Sequence, residues 1–480
     1  MKIAIAASEG APFIKTGGLG DVMQALPEAL SKLPGNSVCL FLPYYGKIKR
    51  DSRWECEFVT SFAVTLAWRQ CHVGLFRLKS RKKKLQVYFI ENDQYFDRDP
   101  IYGCLDDGER YAFFSKAVLA CLSYLDFRPD VIQCNDWQTA LIPVALQAEF
   151  RASFPNTKTV FTIHNIEYQG WAGIDFNYEV LGYGGQYTET LRYGDASNFM
   201  KAAIVTADAV STVSETYAQE LQYPYFSHGM SSVLTQRASN FYGITNGIDT
   251  TVFDPQKSGN IPFHYTAKTM VEQKAKNKQA LQLELGLDQD PDATLFAIVS
   301  RLAGHKGVDL LSYIAHTLLS RPVQLAIIGT GEAQYEQALS ELARQYPGRM
   351  VVRLAFDPSL ADRVYAGADA YLMASRSEPC GLSQLIAMHY GTIPVVHATG
   401  GLRDTVPPYD PTTGEGRGFT FQSYNGEDFM AAIDRALQLY YDDRAAWNAL
   451  AQKDMDLDVS WKVPAQAYMD MFHKVTGVNG

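Results

Sequence analysis

Residues 293–311, "ATLFAIVSRLAGHKGVDLL", decide the fold. Thr294–Val299 is a short apolar run of the kind that makes a buried strand, and Ser300–Gly307 is polar and ends on glycine. From there apolar residues recur at Val308, Leu310, Leu311, Ile314, Leu318 and Leu319, the spacing of an amphipathic helix. A strand, a polar turn and a helix in this order are the unit of a parallel α/β sheet. Downstream the unit repeats, with strands expected at Gln324–Ile328, Met350–Ala355, Ala370–Met373, Ile393–His397 and Gly418–Phe421, each but the last followed by a helical pattern.

Upstream lies a separate series. Strands are expected at Lys2–Ala7, Ser37–Pro43, Val73–Leu78, Leu85–Ile90, Val131–Gln133, Lys158–Ile163, Ala209–Val213 and Tyr242–Thr245. "VGLFRLKSRKKKLQVYFI" reads as a hairpin whose basic run, Lys79–Lys84, is a solvated turn. Two doubly wound sheets fit this α/β pattern better than one, which divides the chain into 1–250 and 251–460. The end, "SWKVPAQAYMDMFHKV", is an amphipathic helix within 461–480.

Composition limits what the chain does. With 480 residues, 47% of them hydrophobic, and a net charge of −9, it can bury large cores but offers no broad basic face for nucleic acid or membrane. Seven cysteines without C-x-x-C spacing read as reduced thiols, with no zinc site and a cytoplasmic location expected. No run of about twenty apolar residues occurs, and the start "MKIAIAASEG" lacks the apolar core of a signal peptide.

Ligands of open α/β sheets bind beyond the carboxyl ends of the strands. In "EGAPFIKTGGLGDV", residues 9–22, Lys15 precedes Gly17 and Gly18, so neither the Walker A order nor the dinucleotide fingerprint applies. The glycines allow close backbone approach, and a helix starting near Asp21 would favour an anion. "QCNDWQT" brings Asn135, Asp136, Trp137 and Gln138, and "TIHNIEYQG" brings His164, Asn165 and Tyr168, to strand ends where sugar hydroxyls could be read. "ITNGID" adds Asn246. Arg301 and Lys306 share one loop before a helix N-terminus and can face a diphosphate. Glu378, in "SRSEPCGLSQLIAM", can accept bonds from neighbouring hydroxyls of a sugar, or can simply be an acid at a helix start. Cations and glycines for a diphosphate, with carboxylates and amides for a sugar, suggest a nucleotide-sugar site that needs no metal.

These residues resemble the glycogen and starch synthases, glycosyltransferase family 5. The resemblance covers nearly the whole chain and is carried by "KTGGLGDV", "NDWQT", "TIHNIEYQG", "ITNGIDTTVFDP", "KAKNKQALQLELGL", "SRLAGHKGVDLL" and "SRSEPCGLSQLIAMHYGTIPVVHATGGLRDTV". It implies a GT-B fold, with two Rossmann-like domains facing across a deep cleft: an acceptor domain, 1–250, completed by the helix in 461–480, and a nucleotide-sugar domain, 251–460. The implied reaction adds glucose from ADP-glucose, a co-substrate, to the non-reducing end of an α-1,4-glucan with retained configuration and no cofactor. Arg301 and Lys306 would hold the donor diphosphate, assisted by Lys15 and the amides of Gly17 and Gly18. Glu378 would bind the donor glucose, and Cys380, Gly381 and Leu382 would offer amides. Phe356 would stack on the adenine, Asn246 and His164 would contact the transferred glucose, and Asp136 would position the acceptor, with Asp21 and Tyr95 nearby. The family usually has histidine at Gln138 and often at Asn135. Rival readings are a GT-B enzyme using a UDP-sugar, a non-catalytic glucan-binding relative, and an NAD oxidoreductase. The last lacks the required G-x-G-x-x-G.

Overall fold

The computed structural model describes residues 1–80 and 84–478. Part of the basic run Lys79–Lys84 and the last two residues of the expected helix 461–480 lie outside the described residues. The chain forms two compact units, Met1–Asn246 with Trp461–Gly480, and Gly247–Ser460, so the division falls inside "ITNGID".

In the first unit the strands are β1 (Lys2–Ala6), β2 (Ser37–Pro43), β3 (Cys56–Leu66), β4 (Arg69–Leu78), β5 (Leu85–Glu91), β6 (Val131–Asn135), β7 (Lys158–Ile163), β8 (Trp171–Gly173), β9 (Arg192–Tyr193), β10 (Ala196–Asn198), β11 (Ala209–Thr212) and β12 (Phe241–Gly243). The main sheet runs β12-β11-β7-β6-β1-β2-β5-β4-β3. It is parallel from β12 to β5, and β4 and β3 join antiparallel, so the expected hairpin is present. The chain starts at β1, goes to β2 on one side and later returns to β6 on the other, which makes the gap between β1 and β6 the topological switch point. β1, β2 and β6 are buried on both faces, which is why they read as continuous apolar runs. The strand β3 escaped notice because its side chains alternate between exposed and half-buried, with few fully buried. The small sheet β8-β10-β9 was also not anticipated, its strands being two or three residues long. The terminal helix Lys462–Thr476 packs Tyr468, Met469 and Phe472 into this unit's core, where Asn36 Nδ2 lies 3.2 Å from Met469 Sδ.

The second unit holds β13 (Thr294–Val299), β14 (Val323–Ile328), β15 (Met350–Arg353), β16 (Ala370–Met373), β17 (Ile393–His397) and β18 (Phe419–Phe421), all parallel in the order β15-β14-β13-β16-β17-β18. Its switch point lies between β13 and β16. One expectation is corrected: β18 is followed by a helix, Gly426–Asp442, whose buried Phe429, Ile433, Ala436 and Tyr440 keep helical spacing and whose N-cap is Asn425.

Candidate active site

Each unit gathers its unusual residues at its own switch point. In the first unit Ala6 pairs with Cys134, and Asn135 with Thr162, so the loops after β1, β6 and β7 leave the sheet side by side. The loop after β1 folds over its own acid: Glu9, only 4% exposed, accepts from Thr16 Oγ1 at 3.0 Å and from the Thr16 amide. Burial raises the Glu9 pKa against those bonds. The following helix is Gly18–Lys32, beginning three residues before Asp21, and Gly17 at its N-cap contributes no side-chain cap. Space beside Gly17 is open, whereas a Cβ on Gly20 would stand 2.9 Å from Lys15 Cγ. Lys15 Nζ bonds Asp21 Oδ1 at 2.7 Å. Burial raises the Asp21 pKa, and the Lys15 charge opposes it.

Asp136 is the strained point of the unit. Its backbone takes φ 58° and ψ 179°, a region occupied almost only by glycine. Its Oδ1 accepts from the amides of His164 at 2.7 Å and Asn165 at 3.3 Å. Burial pushes the Asp136 pKa up to about 7, those amides pull it down, and the nearby Glu9 charge adds to the rise. Asn135, fully buried, donates from Nδ2 to Ala6 O at 3.0 Å, so its Oδ1, 2.9 Å from His164 Nε2, accepts from that ring nitrogen. This places the proton of His164 on Nε2, and burial holds the ring neutral, with its pKa lowered to about 3. Asn135 therefore orients His164. Gln138 is buried with Oε1 unpartnered, as is Asn246 with Oδ1.

Tyr95 is 2% exposed, packs on Phe113, and gives its hydroxyl to Glu109 Oε1 at 2.5 Å. Among the described residues a Cys104–Asp106–Asp107 group has metal-ligand types, but Asp106 is paired with Arg98 and Asp107 with Arg110.

In the second unit Lys306 Nζ bonds Glu378 Oε2 at 2.7 Å, and Ser375 Oγ donates to the same oxygen at 2.9 Å. The loops carrying the pair are pressed together by Gly307: with φ 77°, its Cβ would fall 2.0 Å from Ala374 O. Behind Glu378, a Cβ on Gly400 would lie 2.1 Å from its carbonyl oxygen, and His397 Nδ1 lies 2.7 Å from Ser375 O. Gln384 Nε2 donates to the carbonyls of Cys380 and Gly381, both at 3.0 Å. The next helix is Ser383–His389, so Glu378 is not a helix-start acid, and the amides of Gly381 and Leu382 stand just before that helix. Arg301 is exposed; its carbonyl accepts from Ser300 Oγ at 3.2 Å, and among the described residues its guanidinium makes no ion pair or hydrogen bond. The strand β15 ends at Arg353 rather than Ala355, leaving Phe356 at the same sheet end and 75% exposed. Glu9, Ser375, Gly307, His397 and Gly400 were not singled out beforehand. Only Glu9, an acid directly after an apolar strand, gave a signal; the others act through contacts distant in sequence.

Residues 2–236 match the starch synthase catalytic domain, and 286–454 match the glycosyl transferases group 1. A glycogen synthase of Clostridium acetobutylicum is 42% identical over 480 residues, covering 99% of this chain and 100% of that protein. The chain belongs to the glycogen synthase family. Another family member, the glycogen synthase of Exiguobacterium sibiricum, is 43% identical, with 99% of each chain covered. Among solved structures, the catalytic domain of starch synthase IV from Arabidopsis thaliana bound to ADP and acarbose matches with a TM-score of 0.91, 32% identity and 99% coverage of both chains. A sucrose-phosphate synthase from Thermosynechococcus elongatus, 19% identical with a TM-score of 0.62 over both full chains, shares the fold. Two Rossmann-like sheets, the second all parallel and the first parallel except at β4 and β3, and these matches give this member of the glycogen synthase family the GT-B fold class. Among the described residues no helix is long and apolar enough to cross a membrane.

Proposed function

We infer that this chain is a retaining glucosyltransferase that moves glucose from ADP-glucose to the non-reducing end of an α-1,4-glucan. The Lys306–Glu378 pair, at 2.7 Å on the switch point of the second unit, carries the reading. Lys306 has three N–H donors and spends one on Glu378, which leaves two for a phosphate. Glu378 takes both of its bonds on Oε2, leaving Oε1 to accept from sugar hydroxyls. Arg301 supplies a second cation, Gly381 and Leu382 offer amides, and Phe356 offers a ring to the base. In the first unit Asp136 and neutral His164 serve the acceptor and the glucose that is moved, and Asp21 holds Lys15.

The bond from C1 to the diphosphate breaks, and negative charge gathers on the leaving oxygen. The acceptor 4-hydroxyl then attacks from the same face, and its proton passes to the departing phosphate. Fixed cations aimed at the growing charge lower the barrier. Because Arg301 and Lys306 supply that charge, the chemistry needs no metal, and we expect a chelator to leave the rate unchanged.

The test offers labelled ADP-, UDP- and GDP-glucose with glycogen, with maltose, or without acceptor. The expected result is incorporation from ADP-glucose into glycogen. Incorporation from UDP-glucose alone, or release of free glucose alone, would overturn the reading.

A further inference from the structure

We propose that Trp171 is an acceptor platform, its indole stacking on a glucose unit of the α-glucan chain that is extended beside Asp136. This rests on the transfer reaction inferred above and adds to it a binding residue with no assigned role. Residues 164–170 are tied at both ends to Asp136 and Trp137. At the start, the His164 and Asn165 amides bond Asp136 Oδ1 at 2.7 and 3.3 Å. At the end, Gly170, with φ 71°, lies so close to Trp137 that a Cβ there would stand 2.5 Å from the indole Cε3. Buried Gln169 locks the middle, donating to Ile166 O at 3.1 Å and His228 O at 3.0 Å and accepting from Asn198 Nδ2 at 2.7 Å.

Trp171 is the next residue, and its backbone is paired with Asn198 in the small sheet. Its ring is 53% exposed, yet it is braced edge-to-face by Tyr193 at 5.8 Å, and Tyr193 is itself fixed by its hydroxyl bond to Gly229 O. An exposed aromatic ring in a fixed orientation presents an apolar face with little entropy left to lose, which suits the C–H face of a pyranose. Trp68 makes the contrast: 81% exposed at the turn between β3 and β4, it has no such tie to Asp136.

The test compares wild type with W171A, W171L and W171F, using ADP-glucose and maltose, maltoheptaose or glycogen. Loss of the flat face in W171A and W171L is expected to raise the KM for maltoheptaose and glycogen about ten-fold. KM for ADP-glucose and turnover at saturating acceptor should stay within about two-fold, and W171F should restore most of the acceptor affinity. Acceptor KM unchanged in both W171A and W171L, in an enzyme that transfers glucose, would overturn the platform. W171L keeps apolar bulk against Tyr193, so it decides the matter if W171A does not fold. A wild type that transfers no glucose would refute the reaction instead. Calorimetric titration with maltoheptaose then still decides the platform, by weaker binding to W171L or by equal binding.

Discussion

Asp136→Asn tests whether the acidity at the first unit's switch point is kept against the interest of stability. Burial lifts the Asp136 carboxyl from its ordinary 3.8 to about 7. Across that window the folded protein keeps a proton that the unfolded chain has released, so the contribution of Asp136 is intact below the lower value and is lost as pH rises through the upper one. At 1.36 kcal/mol per pH unit the gap amounts to about 4 kcal/mol. Asp136 as a residue is only half-buried, and screening by the water beside it brings the figure nearer to about 2 kcal/mol. Asparagine retains an oxygen for the His164 and Asn165 amides and carries no charge. D136N should therefore match wild type in acid and be about 2 kcal/mol more stable at about pH 8 in urea unfolding followed by fluorescence, while losing most transfer to glycogen. Asp136→Gly should add about 1–3 kcal/mol by releasing the positive φ. A D136N protein no more stable than wild type above neutrality, or one with full turnover, would refute the reasoning.

Lys306→Ala and Arg301→Ala should each lower turnover about 100- to 1000-fold with the fold intact, since they remove a donor to the charge that forms on the leaving phosphate; steady-state rates with ADP-glucose check this. Gly307→Ala puts a Cβ against Ala374 O at a left-handed φ. It should cost the second unit about 3 kcal/mol or more, seen as a lower melting temperature, and should weaken ADP binding by disturbing the Lys306–Glu378 pair. Asp454 is 1% exposed with neither oxygen bonded, and burial drives its pKa up to about 8, with Arg417 and Lys453 opposing the rise. Its contribution is therefore lost as pH climbs from acid through about 8, and Asp454→Asn should flatten that decline in the unfolding midpoint. Parallel pH curves for the two proteins would contradict this.

Most of the fold is legible in the sequence where burial is two-sided. Ser37–Pro43, Lys158–Ile163, Thr294–Val299, Ala370–Met373 and Ile393–His397 carry the same boundaries in the sequence reading and in the structure, because each is an apolar run bounded by turns. The strand β3 fails that test, since polar Thr60, Ser61 and Thr65 break its pattern at the sheet edge. The first long helix begins at Gly18, earlier than its glycines suggest, since Gly18 and Gly20 sit in its first turn. Within the site, the residue types at loop ends were readable, and their partners were not. Lys306 and Glu378 are 72 positions apart, and only the order of β13 and β16 in the sheet brings them to 2.7 Å. Asp136 shows the same limit: burial raises its pKa, Glu9 after β1 adds to the rise, and the amides on the loop after β7 oppose it, all through contacts outside its own stretch.

The most direct test of glucosyl transfer is to follow ADP-glucose labelled at C1 by nuclear magnetic resonance in the presence of glycogen. The label should move into α-1,4-linked units at non-reducing ends, at a rate that Lys306→Ala lowers about 100- to 1000-fold and Glu378→Gln lowers strongly. Label appearing as free glucose or in a β-linkage, or transfer at the wild-type rate in both variants, would contradict the account.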